Sequence, residues 1–353
     1  MQRINRFGDG SHGVQKSHYP GREVVMLSLV RFWLIGALKG KSKTTQGNDL
    51  GFTMVELLIS AVVASMIITP ILFFVVDVLR TDTQEEIKAR SEQELQAAAD
   101  FIRRDLSQAI YIYDGAGVNA IRDQLPDSEN VVLVFWKQEL IPNVIPPNGI
   151  DRPVADDYCK TRRCDDAQVL SLVAYYLQTD ASDTWSDQGR ISRLQINDGV
   201  IDIHNNTCPE QKEPPPPCYI AGHQPDPGFA RPPGRIRMNQ WKRHPDHEIT
   251  ASREVLIDYI YPNEVAGLED DHCKKALGLT ATDDPTEADD FLRSGDKGSG
   301  FFVCVDSRRT AALVNLRMNA AFRIDPNATT FDPNRRSLFP ETSFLVKGFG
   351  TFN

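Results

Sequence analysis

The sequence lacks the short motifs that mark the common enzyme active sites. It contains no Gly-x-Ser-x-Gly turn for a nucleophilic serine and no glycine-rich loop for a nucleotide. Gly40-Lys41-Ser42 looks like the end of a phosphate-binding loop, but only three residues separate Gly36 from Gly40 where that loop requires four. These absences argue against serine hydrolases and nucleotide hydrolases, and we expect that the chain is not an enzyme.

Cysteine is absent from the first 158 residues, and all six cysteines follow. An even number confined to one part of the chain suggests disulfides formed in an oxidising compartment. Pairing between sequence neighbours would give three bonds, Cys159–Cys164, Cys208–Cys218 and Cys273–Cys304. Other connectivities and free, partly buried thiols remain alternatives. No Cys-x-x-Cys pair is present, and the spacings are loose for a structural zinc site.

Basic residues do not outnumber acidic ones outside the first part of the chain. The net charge is −9, yet residues 1–51 carry eight Lys/Arg and three Asp/Glu, a balance of +5 that leaves −14 for residues 52–353. A basic front segment and an acidic body are typical of a membrane-inserted chain whose body is exported. The acidic body makes nucleic acid an unexpected partner.

One long apolar run follows the basic segment. Residues 57–76 are 20 consecutive residues without a charge, and a helix of that length covers roughly 30 Å, the thickness of the hydrocarbon core of a bilayer. Pro70 lies inside the run and is expected to bend the helix. The run predicts a single transmembrane helix.

The helical pattern continues beyond the apolar run. Apolar residues recur at spacings of three and four from Leu95 to Tyr113, with Arg103, Asp105 and other polar residues assigned to the opposite side. No proline or glycine interrupts residues 79–113. We therefore expect one helix of about 60 residues, transmembrane over 52–78 and amphipathic over 79–116.

The remainder, 117–353, is predicted to be a β-rich head. Short runs rich in β-branched and aromatic residues are bounded by Gly, Pro, Asn and Asp, and few helical patterns separate them. The fold class is therefore α+β, a long helix packed on a mainly antiparallel sheet. Long loops are expected at 208–236 and 263–298. The predicted strands are Val131–Trp136, Val169–Leu177, Ile191–Ile196, Val255–Tyr261, Phe301–Val305 and Leu313–Ile324.

The sequence GFTMVE at 51–56, followed at once by the apolar run, resembles the cleavage signal of type IV prepilins and pseudopilins. The resemblance implies a pilin-like fold and processing by a prepilin peptidase, which would cleave after Gly51 and methylate the new N-terminus at Phe52. Residues 1–51 would then be a cytoplasmic leader that is removed. The resemblance also gives Glu56 a role in assembly, as the partner of the amino terminus of an adjacent subunit.

Two narrower resemblances concern the helix. The sequence RRDLSQA at 103–109 looks like the helix of the larger minor pseudopilins of the J or W type, and residues 51–65 and 84–113 are similar to pseudopilins of cyanobacterial hormogonium polysaccharide secretion. They imply a minor subunit of a type IV pilus or a type II secretion-like filament, acting in assembly and in polysaccharide secretion linked to gliding motility. The implied partners are other pilins or pseudopilins and the assembly platform of the inner membrane.

The implied location is the inner (plasma) membrane, crossed once, with the head in the periplasm or outside the cell as part of a pilus or pseudopilus. Two alternatives stay open. One is a membrane-tethered periplasmic binding module that is never assembled, and the other is a minor pilin for adhesion or DNA uptake. The tethered module would need no cleavage after Gly51 and would tolerate loss of Glu56.

Other candidate sites have weaker support in the sequence. His244 and His247 lie in a proline-containing loop without the helical spacing of a zinc hydrolase. Trp185 and Trp241 lie in polar loops and are candidates for stacking on a sugar or a partner. We expect no cofactor, with calcium as the one candidate, because some pseudopilins bind it and a cluster of acids offers oxygen ligands without the ordered calcium-loop spacing. That cluster is Asp283, Asp284, Glu287, Asp289 and Asp290.

Overall fold

The computed structural model describes residues 53–148, 158–204, 219–220, 222–279 and 289–350. The chain divides into two units between Ile71 and Leu72. Helix α1 (Met54–Ser107) contains residues of both units. Among the short helices that follow it in the described part of the chain are α2 (Gly115–Ile121), α3 (His272–Ala276) and α4 (Asp289–Leu292).

Two antiparallel sheets make up the β-structure of the described residues, which agrees with the predicted α+β class. The first sheet has the order β1-β2-β3-β4-β5 and the second has the order β6-β7-β8-β9. The strands are β1 (Ala109–Ile112), β2 (Val131–Ile145), β3 (Asp165–Gln178), β4 (Gly189–Asn197), β5 (Glu254–Ile260), β6 (Arg293–Ser294), β7 (Phe301–Asp306), β8 (Ala311–Arg317) and β9 (Glu341–Lys347).

The C-terminal half of α1 packs on both sheets through the predicted apolar stripe. Leu95, Ile102 and Leu106 are almost completely buried in one cluster with side chains of the two sheets, such as Phe135 of the first and Val303 of the second. Burial of each large side chain stabilises the fold by about 1.5–3 kcal/mol. This cluster is the main core.

The long helix ends at Ser107 and not near Tyr113, so the predicted amphipathic segment to 116 is too long. All four residues of β1 are buried, Ala109 and Ile112 in the main core and Ile110 in a second cluster on the other side of the sheet. A strand can bury both faces in this way because successive side chains point to opposite sides. Pairing with β2 therefore overrides the helical spacing of the sequence.

Gly115 and Gly117 lie in the first turn of the separate helix α2. Asp114 is the N-cap of α2, and its Oδ1 accepts a hydrogen bond from the backbone N–H of Gly117 at 2.8 Å. A Cβ atom on Gly115 would lie 1.9 Å from the carbonyl oxygen of Arg293. Glycine is therefore required at position 115 by the close approach of another backbone segment.

Five predicted strands match strands of the structure, and the sixth is partly wrong. Strand β8 ends at Arg317, and residues 320–323 form a 3₁₀ turn instead of continuing the strand. Strands β1 and β9 were not predicted. The stretch 263–298, predicted as a loop, contains α3, α4 and β6. Within the predicted loop 208–236, residues 208–218 lie outside the described part of the chain.

Candidate functional site

The first half of α1 exposes an unusually large apolar surface. Among the described residues, α1 is the one helix long and apolar enough to cross a membrane, and no residue of its most apolar stretch is buried within the chain. Exposed apolar surface on this scale marks a membrane or protein contact. The exposed side chains are Met54, Val55, Leu57, Leu58, Ile59, Val62, Val63, Met66, Ile67, Ile68, Ile71, Leu72, Phe73, Phe74, Val75, Val76, Val78 and Leu79.

Polar side chains of this surface bond to the helix itself. The Ser65 hydroxyl donates to the carbonyl oxygen of Val62, and the Thr69 hydroxyl donates to that of Ser65, both at 2.8 Å. Hydroxyls satisfied in this way can enter an apolar environment at low cost. The helix continues through Pro70.

Glu56 is the one ionisable residue in the first turn of α1. The backbone N–H of Glu56 is bonded to the Thr53 hydroxyl at 3.3 Å and to the Thr53 carbonyl at 3.0 Å, so Thr53 caps the helix. Sequence reasoning missed this cap, although Thr-x-x-Glu is a recognised start signal for a helix. The Glu56 side chain is exposed and makes no ion pair with any residue that the structure describes. Gly51 and Phe52 lie outside the described residues.

A second carboxylate of α1, Asp105, is buried against the first sheet. Its Oδ1 accepts from Lys137 Nζ at 3.0 Å, and its Oδ2 accepts from Arg193 Nε and from the Tyr175 hydroxyl, both at 2.8 Å. The three partners come from β2, β4 and β3, so one side chain joins the helix to three strands. Charge-assisted hydrogen bonds of this kind are strong and directional.

The prediction that Asp105 faces away from the core is wrong. Its side chain is only 7% exposed, because position 105 lies three residues after Ile102 on the buried side of the helix. That spacing was the signal in the sequence. Burial raises the pKa of Asp105, but hydrogen bonds and charges from Arg193 and Lys137 outweigh burial and hold the pKa below its usual range. The carboxylate is therefore ionised at neutral pH.

Two of the three sequence-neighbour disulfides are present, Cys159–Cys164 and Cys273–Cys304. Cys208 and Cys218 lie outside the described residues. The Cys273–Cys304 bond joins α3 to β7 and is buried in a small apolar cluster. Disulfides of this kind are typical of an exported domain.

The remaining candidates are distributed over separate surfaces. The rings of His244 and His247 lie 4.7 Å apart, and no group of three or more metal-binding side chains occurs within the described ranges. Trp241 is buried and donates to the carbonyl oxygen of Ala230, so it is not a stacking surface, whereas Trp185 is 41% exposed.

The acidic residues proposed for calcium fall into two groups. Asp289 and Asp290 begin α4, and both lie within salt-bridge distance of Arg293. Asp283, Asp284 and Glu287 lie outside the described residues. In the described part, these two acids lie in the first turn of α4 and are ion-paired with Arg293.

Comparison of the chain with protein-family models, with curated proteins and with solved structures finds no match.

Proposed function

We propose that this chain is a type IV pilin-like minor subunit, a pseudopilin, that acts in filament assembly and export and catalyses no reaction. One observation carries the proposal. The apolar surface of α1 is exposed from Met54 to Leu79, and its first turn holds one carboxylate, Glu56, which has no ion pair with any described residue. It follows directly on the GFTMVE sequence at 51–56, the sequence that resembles a prepilin cleavage signal.

The proposed role uses the apolar surface twice. It first holds the chain in the inner membrane, with the basic leader in the cytoplasm and the acidic, disulfide-containing head in the periplasm or outside the cell. After cleavage by a prepilin peptidase, the same surface packs against helices of other pilins or pseudopilins. The assembly platform of the inner membrane would move the helix from the lipid bilayer into the filament.

In the proposal, Glu56 sets the alignment of the helix against its neighbours when the helix moves from the membrane into the filament. An ionised side chain inside a bilayer costs about 2.5–3.5 kcal/mol on insertion scales, and Glu56 has no compensating cation among the described residues. The methylated amino terminus of an adjacent subunit would supply that cation. The cost of the unpaired charge therefore favours the assembled state.

We propose that the filament exports a polysaccharide and that this secretion is linked to gliding motility. The basis is the resemblance of residues 51–65 and 84–113 to hormogonium pseudopilins. The resemblance covers the helix, while the head carries the surface that would select a cargo. Loss of secreted polysaccharide in a deletion strain, with pili intact, is the expected phenotype.

The first test is mass spectrometry of the N-terminus of protein purified from membranes. We expect a chain that begins at N-methylated Phe52. An intact leader, or cleavage at another position, would overturn the proposal and leave the membrane-tethered binding module as the better interpretation.

A further inference from the structure

Residues 227–245 form a basic segment on an otherwise acidic body. They contain five Lys/Arg and no Asp/Glu, whereas residues 52–353 together have a net charge of −14. The basic segment packs on the first sheet through Phe229, Met238 and Trp241, which are buried in the second apolar cluster. That cluster lies on the face of the sheet opposite α1. Buried anchors therefore hold the basic segment in a fixed position and leave its polar residues outside.

The outer surface of the basic segment combines positive charge with one fully exposed apolar side chain. Ile236 is 100% exposed. Arg237 and Lys242 are exposed beside it and make no ion pair with any residue that the structure describes. Arginine is enriched in protein interfaces, and unpaired surface charges attract a surface of opposite sign. The basic segment thus has the features of a protein contact.

The turn between β3 and β4 has the opposite charge. Residues 179–188 contain three Asp and no Lys or Arg, and Asp183 is exposed without an ion pair in the described part of the chain. Trp185, in the same turn, is 41% exposed. The turn is held on β5, because Asp258 accepts hydrogen bonds from the backbone N–H and the hydroxyl of Ser186 at 2.9 and 2.8 Å. It therefore presents an acidic surface with an exposed aromatic ring.

Trp185 lines a groove of about 660 Å³ between α1 and β5. Phe101 of α1, 44% exposed, and Leu256 of β5 line it too. Exposed aromatic rings in one groove offer apolar surface that a partner can bury. The groove lies on the α1 face of the first sheet and the basic segment on the opposite face, so these two surfaces of one molecule cannot meet.

A second copy of the chain fits the basic segment better than a polyanion does. A nucleic acid or an anionic polysaccharide would pair with Arg237 and Lys242 but would leave Ile236 in water. A second copy offers both of the features that the segment requires, the acidic turn for the cations and the groove for the apolar side chain.

We propose that the basic segment of one copy docks on the groove of a second copy. Ile236 enters the groove beside Trp185 and Phe101, and Arg237 pairs with the acidic turn at Asp183. The contact joins two different surfaces, and repetition of such a contact without closure into a ring gives an open filament. It requires neither cleavage of the leader nor the carboxylate in the first turn of α1, so it goes beyond the proposed assembly through α1.

Sedimentation velocity of the full chain in detergent micelles, over a range of protein concentrations, tests the proposal. The detergent covers the apolar surface of α1, so self-association reports on the head. We expect self-association at low ionic strength that weakens about tenfold or more at high ionic strength, because salt screens exposed charges. A chain that stays monomeric at every concentration would overturn the proposal.

Two variants test the two surfaces. Ile236→Asp places an acid opposite the acidic turn, and Trp185→Arg places a cation opposite the basic segment, so each alone should self-associate about tenfold more weakly than the parent chain. Mixed in equal amounts, they should form a one-to-one dimer and nothing larger, because each keeps the surface that the other has lost. Leu345→Asp changes an exposed apolar residue of β9 outside both surfaces, and should associate as the parent chain does.

The mixture separates the proposed contact from other modes of association. Parent-level association of both variants would show that the head contact lies elsewhere or that α1 supplies it, and a mixture that stays monomeric would overturn the pairing of these two surfaces. Arg237→Glu and Asp183→Arg are a second pair, for use where the first pair alters the far-ultraviolet circular dichroism of the chain. The same dimer is expected from their mixture.

Discussion

Glu56 and Asp105 are two carboxylates of the same helix, and their surroundings differ in every respect. Glu56 lies in the first turn with an exposed side chain and no ion pair within the described residues. Asp105 lies in the last turns, 7% exposed, with Lys137, Arg193 and Tyr175 bonded to it. Side chains of the same chain compensate the charge of Asp105, whereas no described residue compensates that of Glu56.

Under the proposed function, the contrast separates the carboxylate that serves folding from the carboxylate that would serve assembly. A buried charge whose partners belong to its own chain contributes to a unique packing of helix on sheet. A charge in an apolar surface without such partners contributes nothing to the fold of the single chain and acquires its effect when another molecule supplies the cation. The two carboxylates should therefore respond differently to removal.

Asp105→Ala should have the largest effect on the stability of the single chain. The substitution removes the carboxylate that pairs with Arg193 and leaves Lys137 with only the more distant carboxylate of Glu139, 3.6 Å away. Loss of one member of a buried charge network costs about 3–5 kcal/mol. Chemical denaturation of the detergent-solubilised chain, followed by circular dichroism, measures the change.

The control for Asp105→Ala is Asp100→Ala on the same helix. Asp100 pairs with Arg103 at the surface, where such a pair contributes at most about 1 kcal/mol. A similar loss of stability in both variants would show that the buried network around Asp105 stabilises the fold no more than the surface ion pair of Asp100.

The pH dependence of the free energy of unfolding gives a second, smaller effect that should distinguish Asp105. The pKa of Asp105 is lowered in the folded chain, so its stabilisation is present above the pKa of the unfolded chain and is lost as the pH falls through the lower folded value. We expect the free energy of unfolding of the parent chain to fall below about pH 4, and to fall less steeply in Asp105→Asn.

Glu94 and Glu341 have lowered pKa values too, so part of the acid dependence should remain in Asp105→Asn. Ile102→Ala destabilises the same helix by removing apolar packing and keeps every titrating group. It should therefore retain the slope of the parent chain, and a reduced slope in this variant would contradict the assignment to Asp105.

Much of the fold follows from local patterns in the sequence, and the failures have physical causes. The apolar run of α1 and the strands at 131–136, 169–177 and 301–305 were predicted because helix and strand periods are strong signals there. Residues 109–112 fit a helical and a strand pattern equally, and only pairing with β2 decides between them.

The sites on the head depend on contacts between distant parts of the chain. Asp105 meets Lys137 and Arg193 only after the helix packs on the sheet. Phe101 and Trp185 line one groove only after the helix packs on the first sheet. No local pattern in a single sequence marks such pairs, whereas the motif that gives Glu56 its predicted role is contiguous.

Glu56→Ala should have the smallest effect on the single chain and a complete effect on assembly. Its side chain makes no ion pair among the described residues, so we expect a change in stability within about 0.5 kcal/mol and normal insertion into the membrane. We expect the variant to be absent from sheared filaments, measured by immunoblotting of the filament and membrane fractions. Glu86→Ala removes an exposed carboxylate from the same helix outside the apolar surface and should assemble normally. If Glu56→Ala entered filaments as the parent chain does, the open charge of α1 would have no role in assembly, and the contrast with Asp105 would reduce to a difference in exposure.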